Sequence, residues 1–204
     1  VHLGLEDTKH ISRIRIHPTN PDIVYVGVLG HLEGPRKDKG VYKSIDGGKT
    51  WKQVLFRKDD VGCNDLSIDP NNPRIIYASM WQTQRNFWNT YNGGEDTSLY
   101  RSDDGGETWI DLTKNPGLGN TIKGKIGVSA GIQPGMVWAL FDTCDSEAIA
   151  EINNDNSSQT SGLFLSKDYG NSWKLVNNNA ILTTRPHYYN HVFADTKDPN
   201  TVYI

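Results

Sequence analysis

Little in this 204-residue chain points to covalent staples, membranes or polyanions. It has only two cysteines, Cys63 and Cys144, too few for a disulfide framework and at a spacing that matches no zinc pattern. Two thiols are the simplest expectation, with a single bridge left open because sequence cannot fix the distance that disulfide geometry demands. Neither charge is in marked excess: 21 basic against 24 acidic side chains leave a net charge of -3. No broad cationic surface is therefore expected, which argues against nucleic acid or anionic lipid as partner. No apolar run approaches the length of a membrane span, and no secretory leader can be read in the opening residues "VHLGLEDTKH". A Ser/His/Asp order, a Gly-rich phosphate loop and a metal-spaced histidine pair are missing as well.

What is present is punctuation and repetition. Twenty glycines and nine prolines, with many asparagines, suit short strands joined by turns. One phrase recurs three times in fixed register. It holds Ser44, Asp46, Gly48, Thr50 and Trp51 in "YKSIDGGKTW", Ser102, Asp104, Gly106, Thr108 and Trp109 in "YRSDDGGETW", and Ser166, Asp168, Gly170, Ser172 and Trp173 in "FLSKDYGNSW". The aspartates are spaced by 58 and 64 residues, a period that belongs to arrays and propellers. A second phrase precedes each copy, in "HPTNPDIVYVGV", "DPNNPRIIYASM" and the weaker "QPGMVWALF", and returns a fourth time as "KDPNTVYI".

Each unit reads as four short strands. In the first these are roughly residues 11–18, 22–30, 40–46 and 49–56; the second and third units follow the same order, and "HYYNHVFAD" with "TVYI" reads as the first half of a fourth. The expected fold is thus all-β, a partial β-propeller of about three and a half four-stranded antiparallel blades. The units span residues 11–57, 58–113, 114–178 and 179–204, with residues 1–10 as the tail of a preceding blade. Both ends read as cut, and open strand edges would also allow self-association. In the recurring hairpin the glycines supply positive φ, the aspartate accepts hydrogen bonds from turn amides and the tryptophan packs on the neighbouring sheet. The three aspartates are therefore read as turn-forming, not catalytic.

The motif S-x-D-x-G-x-[ST]-W resembles the Asp-box, or bacterial neuraminidase repeat, of sialidases, xyloglucanase-type hydrolases and sortilin (VPS10) propellers. The order of the phrases resembles bacterial sortilin-like, glycosyl hydrolase-like repeat proteins over nearly the whole chain. That resemblance implies an extracytoplasmic location and a binding module for a peptide, protein or glycan. The alternative it implies is a glycoside hydrolase of the xyloglucanase or sialidase kind. The box specifies the fold far better than the activity, and no cysteine-rich module of the kind that follows the propeller in eukaryotic sortilins is present.

Function is expected on the face opposite the box hairpins, where the long connections emerge. One of them, residues 81–96, gathers Trp81, Arg85, Phe87, Trp88 and Tyr91; another, residues 183–191, gathers Arg185, His187, Tyr188, Tyr189 and His191. Aromatics interleaved with arginine could stack on sugar rings or clamp a peptide, or they could plug the space between blades. Catalytic carboxylates would have to come from Asp59, Asp60 and Asp65, acids read as lying in an inter-blade connection on that face. The arginines of "SRIRIHP" read as alternation along a first strand. A third long connection, residues 142–162, carries Asp142, Asp145, Glu147, Glu151 and Asp155. It could hold a calcium ion through carboxylate oxygens, although a solvated acidic loop is the simpler reading. No other cofactor or metal is expected.

Overall fold

The computed structural model describes residues 3–88, 90–144 and 161–204. Three four-stranded antiparallel sheets follow one another along the chain. The first contains β1 (Ile11–Ile16), β2 (Val24–Val28), β3 (Gly40–Ser44) and β4 (Lys52–Leu55). The second is built on β5 (Val61–Ile68) and β6 (Ile76–Gln82). A two-strand hairpin, β7 (Gln84–Arg85) with β8 (Thr90–Tyr91), interrupts it before β9 (Ser98–Ser102) and the two-residue β10 (Ile110–Asp111). The third holds β11 (Lys123–Ala130), β12 (Val137–Thr143), β13 (Gly162–Ser166) and β14 (Lys174–Asn177). A last hairpin pairs β15 (Phe193–Ala194) with β16 (Val202–Tyr203).

The strand order within each sheet is sequential once the β7–β8 hairpin is set aside, as expected for a propeller blade. The phrase that recurs four times forms the same turn four times. His17 N donates to Ile23 O, Asp69 N to Ile75 O, Gly131 N to Met136 O and Asp195 N to Thr201 O, at 2.8 to 3.0 Å. One expected strand is different. Residues 187–195 read as extended, yet Pro186–Tyr189 form a single helical turn, α1, because Pro186 occupies its first position and the amides of Tyr188 and Tyr189 both close onto Arg185 O.

The box hairpins are built as their residues require. Asp46 Oδ1 accepts from the amides of Lys49 and Thr50 and from Ser44 Oγ, while Oδ2 accepts from Thr50 Oγ1 at 2.6 Å. Asp104 and Asp168 repeat the pattern. In the third copy a tyrosine replaces the first glycine and Tyr169 takes the left-handed conformation at φ 62°. Trp109 Nε1 reaches back to Val54 O of the first sheet, and Trp173 is buried beside Phe141.

The core lies between sheets. Tyr25, Val41 and Leu55 of the first pack on Leu66, Ile76 and Met80 of the second; Tyr77, Leu99 and Leu112 of the second pack on Val128, Phe141 and Phe164 of the third. Polar links join the first strands of neighbouring sheets. Ser12 Oγ donates to Cys63 O, Asn64 Nδ2 to Ile126 O, and the amides of Ala130 and Ala194 donate to Ser67 Oγ and Ser129 Oγ. Cys63 is buried in β5 and Cys144 sits beyond β12 with its Sγ toward the carbonyls of Ile122 and Lys123; both remain thiols. Among the described residues no helix is long and apolar enough to cross a membrane.

Candidate functional site on the loop-rich face

The connections between β6 and β9 and between β14 and β15 meet at Trp81. Its indole is only 2% exposed, with Nε1 donating to Asn92 O at 3.0 Å. The His187 ring packs edge-on against it at 5.2 Å between centroids. Lys125 Nζ stands 5.3 Å from the indole centroid and donates to His187 O. Burial brings the Lys125 ammonium down to about 8. Burial also lowers His187, helped by the positive charges of Lys125 and Arg85. Trp81 is thus the buried joint between two loops and offers no ring face to a ligand, unlike the stacking role its position in a long connection suggested. Trp81 lies in β6, in line with the buried run that begins at Ile76, and not in the connection that follows it.

The joint carries a group of open rings. Trp88 is 86% exposed and Phe87 fully so, and Tyr188 and Tyr189 are 57% and 71% exposed. Phe87 and Trp88 are 6.1 Å apart between centroids, as are Tyr188 and Tyr189. Tyr91 is exposed at the end of β8, and Arg85 and Arg185 are exposed beside these rings in sequence. Large apolar surface left open in this way suits an interaction face.

The carboxylates divide by environment. Asp65 lies within β5, not in the connection before it, and is 1% exposed. Arg13 Nε donates to its Oδ1 at 2.6 Å, and the amide of Val128 donates to Oδ2. Burial opposes its charge, but His191, Arg13 and that amide prevail and hold it below the usual carboxylate range. Asp65 therefore ties the first strands of three sheets together, and Arg13, read as simple alternation, is its partner. Arg13 also contacts His191 Nδ1 at 3.0 Å and lies over the Phe193 ring.

Asp59 and Asp60 do lie in the connection between β4 and β5. The carbonyl of Asp59 accepts from Arg36 N. Asp60 Oδ2 accepts from Gln82 Nε2 at 2.8 Å, while its Oδ1 is buried without a hydrogen-bond partner. Asp60 and Tyr91 line a cavity of about 260 Å³. Asp142 is the acid that sequence reasoning placed only in an acidic loop. It closes β12, is 7% exposed and accepts from Asn92 Nδ2 at 2.7 Å. Burial outweighs that bond and a backbone one, pushing its carboxyl up to about 7. Asp60 and Asp142 flank one stretch of chain. Gln82, which holds Asp60, abuts Gly94, and Gly93 bridges Gly124, which abuts Asp142. The sequence cue that could have found Asp142 is its place at the end of the apolar run "MVWALFD", where a carboxylate cannot escape burial.

Asp145, Glu147, Glu151 and Asp155, the remaining acids of the calcium expectation, lie outside the described residues. Among those described, no group of three metal-ligating side chains comes together.

No family model matches the sequence. A xyloglucanase from a Paenibacillus species is 25% identical over 178 residues, covering 81% of this chain and 16% of that protein. A sialidase from Paraclostridium sordellii is 28% identical over 171 residues, covering 76% of this chain and 42% of the sialidase. The chain thus spans less than half the length of these curated relatives. Among solved structures, the GH74 xyloglucanase from Xanthomonas campestris aligns over 94% of this chain and 26% of its own at a TM-score of 0.63 and 17% identity. YCF48 from Cyanidioschyzon merolae aligns over 90% of this chain and 45% of its own at 0.52 and 15%. These likenesses carry the fold, a segment of an all-β propeller.

Proposed function

We propose that this chain is a propeller segment of a glycan-acting protein of the glycoside hydrolase kind, holding its sugar chain on the loop-rich face. The observation that carries this reading is the set of open rings at Trp88, Tyr91, Tyr188 and Tyr189, raised on loops that Trp81 locks together. Flat apolar rings suit the apolar faces of pyranose rings, and rings held on a packed joint lose little freedom on binding. Relatives named as xyloglucanases and a sialidase support a glycan over the peptide or protein that a sortilin-type propeller would hold. An extracytoplasmic location belongs to the same reading.

For hydrolysis, the candidates on this face are the carboxyls of Asp142 and Asp60. Asp142, kept protonated to about pH 7 by burial, suits protonation of a leaving oxygen. Asp60, held through Oδ2 by Gln82 Nε2 and lining a cavity with Tyr91, supplies the second carboxyl of this reading. Release of reducing ends from xyloglucan and of sialic acid from sialyllactose tests this, on wild type, Asp142→Asn and Asp60→Asn. Loss of about 100-fold or more in either variant is expected, with binding of the sugar retained. Binding without turnover in wild type would leave the segment a glycan-binding module, and neither binding nor turnover would overturn the proposal.

A further inference from the structure

A second cavity, of about 890 Å³, opens on the same face between the first and second sheets. It is formed where the connection from β2 to β3 is tied to the β7–β8 hairpin, Arg85 N donating to Leu32 O at 2.9 Å. Its lining is cationic: Lys9 and Arg85 stand against a single acid, Glu33, with the imidazoles of His10 and His31 and the fully exposed Phe87 beside them. The remaining lining is Leu32 and Asn86. Among the described residues, neither Lys9 nor Arg85 is held in an ion pair. His10 is fixed by its Nδ1, which lies 2.8 Å from Gly30 O; a carbonyl can only accept, so Nδ1 carries the proton and Nε2 remains for a ligand.

Cations gathered in a concave site repel one another and focus a positive potential. The relief that fits them is an anion from outside, because among the described residues lining the cavity Glu33 is the one acid. A guanidinium offers a carboxylate two parallel hydrogen bonds, and an ammonium adds a point charge. Phe87 adds what a bare anion would not use, an open ring at the edge of the charge. A ligand that satisfies both parts is a ring with an acid group attached.

We infer that this cavity binds an acidic sugar unit, its carboxylate or sulfate on Lys9 and Arg85 and its ring against Phe87. The inference rests on the glycan reading above and refines it, giving the bound chain acidic as well as neutral residues. The net charge of the whole chain, -3, makes general anion attraction an unsuitable explanation for any such preference.

The test is calorimetric titration of the full chain with four probes. Sialyllactose and trigalacturonate carry carboxylates in terminal and internal sugars, a sulfated disaccharide carries the alternative acid group, and xyloglucan heptasaccharide is neutral. At least one acidic probe should bind, with an affinity that falls as ionic strength rises; the neutral probe should lack that dependence. The ratio of acidic to neutral affinity should fall about tenfold in Lys9→Gln and again in Arg85→Gln, in variants whose melting temperatures match wild type. The pattern among the three acidic probes identifies the acid group and its place in the chain. Neutral binding alone, or equal losses for acidic and neutral probes in both variants, would overturn the acidic-sugar inference and leave the glycan reading standing. Failure of all four probes would sink both.

Discussion

The same residue type meets opposite environments in this chain, and its titration follows them. The carboxylates of the box turns are half-buried and saturated with donors. Asp104 takes bonds from Thr108 through side chain and amide, from Ser102 and from Glu107 N, which hold it well below the usual range. A depressed acid stabilises the fold above its unfolded pKa and loses that contribution as pH falls toward the folded value. Asp104→Ala should therefore lower the melting temperature by roughly 5 °C at neutral pH, with the difference shrinking in acid. Asp142 has the opposite sign. In the unfolded chain it titrates near 4, in the folded protein near 7, so the folded state holds an extra proton between those values and stability falls as pH rises through that window. Asp142→Asn keeps an acceptor for Asn92 Nδ2 and removes the buried charge. It should melt several degrees above wild type at about pH 8 and show no advantage near pH 4, as thermal scans across pH would show.

At the scale of strands and turns, the sequence was most legible where geometry leaves few choices. A box aspartate with two left-handed residues after it, Gly47 and Gly48 or Gly105 and Gly106, can only be a tight turn, and the four copies of the second phrase form four matching hairpins. The loops were less legible because their residues obey no period. The β7–β8 hairpin is tied to Leu32 of another connection, and the inward side of Trp81 depends on His187 and Lys125, all distant in sequence. The Arg13–Asp65 pair was hidden for the same reason, each member resembling an ordinary surface residue of its own strand. One element-scale prediction concerns the start of the third strand. Gly40 has φ 122°, and a Cβ there would lie 2.1 Å from Leu55 O; Gly162 repeats this against Asn177 O. Gly40→Ala should cost about 2 kcal/mol or more, measured by chemical denaturation, because the atom it meets is backbone that cannot step aside.

For the whole molecule, repetition makes each blade a test of its neighbours. Leu66 and Val128 are buried against the preceding sheet, whereas Ile14, at the same register in the first strand, is 57% exposed and Ile16 is 59% exposed. An apolar face of that kind favours association. Light scattering on the 22.8 kDa chain should report a mass above the monomer, and Ile14→Lys with Ile16→Lys should restore the monomer, with circular dichroism unchanged because both side chains are open on that face. On the loop-rich face, Trp81 packs against His187 and Lys125 and joins two of its loops. The role of this face is tested most directly by titrating xyloglucan oligosaccharides into the wild-type chain and into Trp88→Ala, following binding by calorimetry. Saturable binding that weakens by about tenfold or more in the variant is expected, in line with the loss of one stacked ring. Absence of binding, or equal affinity in the two proteins, would contradict a sugar-binding role for this face.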